Sequence, residues 1–133
     1  MMLLPKLLGF AQRAWSKTPE WVLKENKVEA ETAYQKDWNW FVNILGKREL
    51  PRLNHYAGGF NYRIPTAGAK IIEGKVVANI QFPDLTIRYT TNSDEPNLKS
   101  KIYTSPIAAK GTIKFKVFNA AGRAGRTVEI INP

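Results

Sequence analysis

Asp94 and Glu95 lie side by side in the stretch Thr90–Pro96, "TTNSDEP". An adjacent acid pair is one layout for the acid chemistry of glycosidic cleavage. That chemistry needs a carboxyl whose pKa is raised by an apolar surrounding. Asn92, Ser93, Asp94 and Pro96 instead form turns, through side-chain-to-backbone bonding or a fixed φ. Two acids in an exposed polar turn both stay ionised, so the pair is read as a hairpin tip.

No other constellation carries chemistry. "AGRAGR" (121–126) has two glycines three apart but joins two strands, so it lacks the helix N-terminus that would hold a phosphate. "AGG" (57–59) has no lysine–serine sequel. Ser16, Ser93, Ser100 and Ser105 lack a glycine-elbow context. The 11 Asp and Glu residues offer no pair that faces across a cleft. There is one His, His55, and no Cys, so a His-pair metal site, a Cys site and a disulfide framework are all excluded. The residues therefore indicate no catalytic group, no metal and no cofactor.

The chain has 133 residues, 44% hydrophobic and 23% charged, the composition of a folded domain. The formal net charge is +9, but the basic residues are spread evenly: 10 Lys+Arg in residues 1–66 and 10 in 67–133. The bland reading is a basic soluble surface. Nucleic-acid binding through Lys99, Lys101, Lys110, Lys114 and Lys116 is not favoured, because no basic run exceeds two residues.

"MMLLPKLLGFAQRAW" opens the chain. It lacks a basic region ahead of its apolar run and a small-residue cleavage site, so it does not read as a signal peptide. It is also too short to span a bilayer. Leu3, Leu4, Leu7, Leu8, Ala11, Ala14 and Trp15 recur at spacings of three and four, which predicts a helix over 2–15 with Pro5 in its first turn. So apolar a helix needs cover on more than one side. A connection follows over 16–21, with Pro19 as a break, then a short solvated helix over 22–30. The strongest helical segment is 31–45, with Ala33 or Tyr34, Trp38, Phe41, Val42 and Leu45 on one stripe and Gly46 as its stop. Its aromatic residues are read as core, with a sugar-stacking platform as the rival reading.

Residues 46–68 show little periodicity and read as an ordered connector. From Ala69 the period changes to two. "AKIIEGKVVANIQF", "LTIRYTT", "KIYTSP", "TIKFKVFN" and "RTVEIIN" give six or seven short strands separated by turns. Ile113, Phe115 and Val117 alternate with Lys114 and Lys116, which stand on the solvent face. The expected fold class is α+β: helices over 1–45, a connector over 46–68, and a small immunoglobulin- or fibronectin-III-like antiparallel β-sandwich over 69–133.

Three stretches, in this order, resemble the end of bacterial family 20 β-N-acetylhexosaminidases, the chitobiase-like enzymes. Pro5, Lys6, Leu7, Ala11, Gln12, Arg13, Ala14 and Trp15 are similar to the last barrel helix of that family. "LPRLNHYAGGFNYRIPTAGAKI", with Asn61-Tyr62-Arg63-Ile64-Pro65, resembles the link into its C-terminal domain. "IRYTTNSDEP" resembles its Tyr-Thr-Thr-Asp-Gly-(Ser/Thr)-Glu-Pro hairpin, with Asn92-Ser93-Asp94 in place of Asp-Gly-(Ser/Thr).

The resemblance implies that a (β/α)8 barrel lies ahead of residue 1 and holds the family's catalytic pair. That family removes terminal β-linked N-acetylhexosamine with retention, using the substrate's acetamido oxygen as nucleophile. None of its catalytic positions exists here. The chain is thus expected to be an inert accessory region whose partner is the parent's barrel in cis and which meets N-acetylated glycans only through that parent. Leu4, Leu7, Leu8, Ala11 and Trp15 are the expected barrel-packing positions, and Tyr62 and Arg63 the expected connector contacts. Location in the periplasm, on the outer surface or outside the cell is implied by the resemblance alone. The alternative is a carbohydrate-binding module in which Tyr103 and Phe118 stack on sugar rings. Tyr89, which shares the parity of Leu85 and Ile87, is read as core.

Overall fold

A computed structural model describes residues 6–133 and divides the chain into two compact units, Met1–Arg63 and Ile64–Pro133.

The first unit is helical. Helix α1 spans Lys6–Trp15, and none of its residues is buried. A 3-10 turn at Glu20–Leu23 follows, with Pro19 at its N-cap in extended geometry. Helix α2 spans Lys27–Ile44. It starts at residue 27, later than the solvated helix expected over 22–30, because Asn26 supplies the stronger cap. The Asn26 Oδ1 accepts from the backbone N–H groups of Val28 (2.9 Å) and Glu29 (3.4 Å). Trp21 then clasps α2: its Nε1 donates to Asp37 Oδ2 at 3.2 Å, and its ring meets Tyr34 edge-on at 5.4 Å.

Gly46 does not end this helix. The chain continues through a single π turn, Leu45–Glu49, into α3, Leu50–Leu53. In a regular helix the Pro51 ring would clash with the Lys47 carbonyl and leave it without a donor. Widening the preceding turn, with the Leu50 N–H bonded to the Leu45 carbonyl, relieves that conflict. It also leaves Leu45 and Leu50 buried. Part of the segment expected as connector is therefore helical. The rest, up to Ala67, contains only one 3-10 turn, Tyr56–Gly58.

The second unit is antiparallel β. Strands β1 (Gly68–Ile72) and β2 (Lys75–Asn79) form a hairpin around Glu73 and Gly74, both at positive φ (49° and 72°), the signature of a type I′ turn. Strands β3 (Thr86–Thr90), β4 (Lys101–Ile102), β5 (Gly111–Phe118) and β6 (Val128–Asn132) form a second sheet in the order β4-β3-β5-β6. A pair of backbone hydrogen bonds between Val76 and Ile107 (2.8 and 2.9 Å) ties β2 to the segment before β5. Asn132 Nδ2 donates to the carbonyls of Gly74 and Ala109, both at 2.9 Å, and so joins the hairpin tip to the end of β6.

The expected inward set holds: Ile113, Phe115 and Val117 are fully buried, together with Val76. Their outward neighbours form ion pairs, Lys114 Nζ with Glu129 on β6 at 3.8 Å and Lys116 Nζ with Glu95 in the loop after β3 at 3.2 Å. The fold class is α+β with a small immunoglobulin-like β-sandwich.

Candidate functional site

The acid pair is the first candidate, and the structure builds it as a turn. Ser93 stands at φ 65°. Thr90 Oγ1 donates to the Asp94 carbonyl at 2.6 Å, and Asn92 Nδ2 donates to Asp94 Oδ2 at 2.6 Å. Glu95 points elsewhere: its Oε2 accepts from Thr127 Oγ1 at 2.6 Å and from Lys116 Nζ at 3.2 Å. The Thr127 hydroxyl, then the Lys116 ammonium, hold the Glu95 carboxyl below its ordinary range. A general acid needs the opposite shift. The two carboxyls share no ligand-facing geometry and act as a loop lock and a strand tie. Among the described residues, no group of three or more His, Asp or Glu side chains is placed to hold a metal ion, and no helix is long and apolar enough to cross a membrane.

The second candidate is the apolar stripe of α1. Leu7 is 51% exposed and Trp15 85%, while Leu8 and Ala11 are half-buried. Leu4 lies outside the described residues. The opposite side of α1 meets α2: a Cβ on Gly9 would stand 3.8 Å from the Phe41 ring. At about 100° per residue, Gly9, Gln12, Arg13 and Ser16 share one side, and Leu7, Leu8, Ala11 and Trp15 lie roughly opposite them. Thus, among the described residues, α1 turns Gly9 toward α2 and leaves Leu7, Phe10 and Trp15 exposed. Of the two connector residues, Tyr62 is buried and Arg63 exposed.

The sugar-stacking pair fares differently from its expectation. Phe118 is only 5% exposed, because it closes the end of β5 against the sandwich core rather than facing out. Tyr103 is half-buried. Its ring packs edge-on against Tyr89 (6.5 Å) and Phe115 (5.8 Å), and its hydroxyl accepts from the Ala78 N–H at 3.0 Å. Neither ring offers a free face of the kind such a module needs. Strand parity misplaced Phe118 because β5 ends there: Val117 and Phe118 are buried in succession.

The helical unit encloses a groove of about 610 Å³ between α1, the 3-10 turn and α2. One wall carries Trp21, Trp38, Trp40 and Phe41, and the other Gln12 and Arg13. The periodic aromatic residues of α2 were the available signal, but periodicity does not tell a core face from a groove wall.

Comparison with known proteins supplies the wider context. Residues 49–127 match the family model of the chitobiase/beta-hexosaminidase C-terminal domain. The chain is 31% identical over 128 residues to N,N'-diacetylchitobiase of Vibrio harveyi, a match covering 83% of this chain and 14% of that protein. It is 25% identical over 146 residues to beta-hexosaminidase of Vibrio vulnificus, covering 98% of this chain and 17% of that protein. The second match therefore takes in the helical unit as well as the sandwich. The chain spans less than a fifth of the length of these relatives. With a sandwich whose acid pair is a turn, and a family match over more than half its length, this chain belongs to the chitobiase/beta-hexosaminidase C-terminal domain family.

Proposed function

We infer that the chain is the non-catalytic C-terminal accessory region of an exo-β-N-acetylhexosaminidase, packing on and orienting that enzyme's barrel. The observation that carries this reading is the exposure of Leu7, Phe10 and Trp15 on α1, a helix with no buried residue. Barrel helices form an outer ring whose apolar faces lie on the strands. A helix with Leu7 and Trp15 exposed and no buried residue has the face such a ring requires. The similarity to two much longer enzymes supports it.

In this reading residues 1–45 end the barrel and follow it, 46–68 connect, and 69–133 form the accessory sandwich. Tyr62 and Arg63 anchor the connector. N-acetylated glycans meet the parent's barrel rather than this chain. The parent works in the periplasm, on the outer surface or after secretion.

The test is an assay of the purified 133-residue chain on an aryl N-acetyl-β-glucosaminide. No turnover is expected. Turnover that co-purifies with the chain and falls in the Asp94→Asn or Glu95→Gln variant would overturn the accessory role.

A further inference from the structure

The loop after α3 is exposed along its whole length. Residues 55–61 are all exposed, behind the last helix and ahead of β1. The Tyr56 and Phe60 rings stack at 6.1 Å and are 66% and 43% exposed. Between them Ala57, Gly58 and Gly59 all stand at positive φ (49°, 84° and 97°). Ala57 is strained there, because a Cβ in the left-handed region crowds the following carbonyl. Backbone hydrogen bonds close the loop, from the Gly59 N–H to the Tyr56 carbonyl at 2.9 Å and from the Phe60 N–H to the Leu53 carbonyl at 2.6 Å. Opening it breaks those bonds, releases the Ala57 strain and uncovers no core residue.

An endopeptidase takes its substrate drawn out as an extended strand, so cutting follows local opening. Exposed loops with small residues open most readily. Tyr56 is followed by three small residues, Ala57, Gly58 and Gly59. The basic residues nearby are poorer targets. Arg63 is exposed, but its neighbours Tyr62 and Ile64 are both buried. Arg48 and Arg52 lie in the π turn and α3, each paired with Glu49. A cut in the loop interrupts no helix and no strand. It leaves the buried Ile64 and Ala67 with the sandwich. There the Ile64 and Pro65 carbonyls lie against Gly125, 3.0 and 2.9 Å from where its Cβ would stand.

We propose that loop 55–61 is a cleavage site for an endopeptidase whose primary pocket takes aromatic side chains, and that cutting after Tyr56 or Phe60 releases the sandwich as a folded module. The step is hydrolysis. The C–N bond of the Tyr56–Ala57 or Phe60–Asn61 peptide breaks, water gives its hydroxyl to the new carboxyl on Tyr56 or Phe60, and its proton goes to the new amine on Ala57 or Asn61. In the accessory reading the cut sheds the sandwich and leaves α1 with the barrel. The site itself does not rest on that reading, since every residue it uses is in this chain.

The test is limited proteolysis of the full chain, chymotrypsin against trypsin, read by intact mass. Chymotrypsin is expected to give an early fragment that begins at Ala57 or Asn61 and ends at Pro133. That fragment, once isolated, should keep a cooperative thermal transition by circular dichroism. Tyr56→Ser with Phe60→Ser should slow its appearance about tenfold or more. Trypsin should give no fragment beginning at Ile64 over the same time. Tyr56→Arg, at the same exposed position, should let trypsin produce the fragment beginning at Ala57, and it decides the matter if the double variant folds poorly. Four results would each overturn the proposal: earlier chymotryptic cuts inside the strands, a released fragment without a transition, unslowed cutting of the folded double variant, or trypsin cutting after Arg63 as fast as chymotrypsin cuts the loop.

Discussion

Ser93 shows how much a single position can hold. It takes φ 65° at the place where the resembling hairpin pattern carries glycine. A side chain in that left-handed region is strained, and the Asn92–Asp94 bonds hold it there. Ser93→Gly should therefore stabilise the chain by about 0.5–1 kcal/mol, after allowing for the extra freedom of glycine in the unfolded state. Urea unfolding would read it, and destabilisation would show that the serine side chain contributes more than its backbone costs.

Glu95 gives a second prediction at this scale. Its folded pKa lies below the ordinary value of 4.5 because Thr127 and Lys116 favour the carboxylate. A depressed carboxyl contributes stability above its unfolded pKa and loses it as pH falls through the folded value. The Glu95→Gln variant should thus melt slightly below the parent at pH 7, with the gap closing as pH drops below about 4.5. A gap that stays constant down to pH 2 would mean that the Thr127 and Lys116 contacts do not depend on charge.

At the scale of elements, the period-two pattern identified every strand of the sandwich and the inward set of β5. The helical segment was legible in type but not in its limits. Gly46 looks like a stop when read alone, yet the conflict that shapes that turn comes from Pro51, five residues on. The start of α2 was hidden for a similar reason: the charged run before it suggests a solvated helix, while the Asn26 cap decides where hydrogen bonding begins. Asn26→Ala should cost about 1 kcal/mol, measured by thermal or urea unfolding, because two N–H groups of the first turn lose their acceptor. The α1 stripe makes a contrasting prediction. Leu7→Ser with Trp15→Ser should change the stability of the isolated chain by less than about 1 kcal/mol, since Trp15 is 85% exposed and Leu7 51%. The same pair in a hexosaminidase that contains this segment should destabilise the barrel severely. Equal effects in both settings would mean that α1 has no outside partner.

The whole molecule was the hardest scale to reach from its residues. Composition and motif spacing offered no catalytic constellation, and the lack of Cys and the single His left no cysteine framework and no His pair, but they could not say what the surface of α1 is for. Period-two parity could not place Phe118, because a strand end no longer alternates. The groove was invisible because its two walls come from helices whose mutual placement no local pattern encodes. What the three levels share is a helix with Leu7, Phe10 and Trp15 exposed, followed by a folded sandwich whose family model is that of the chitobiase/beta-hexosaminidase C-terminal domain. The most direct test of that account is the size of the native protein. An antibody raised to this chain would be used to blot fractions of a source-cell extract that are also assayed for N-acetylhexosaminide cleavage. The account predicts a band well above ~40 kDa, the 15.1 kDa chain plus a barrel of roughly 250 residues or more, eluting with the activity. A band near 15.1 kDa in fractions without activity would contradict it.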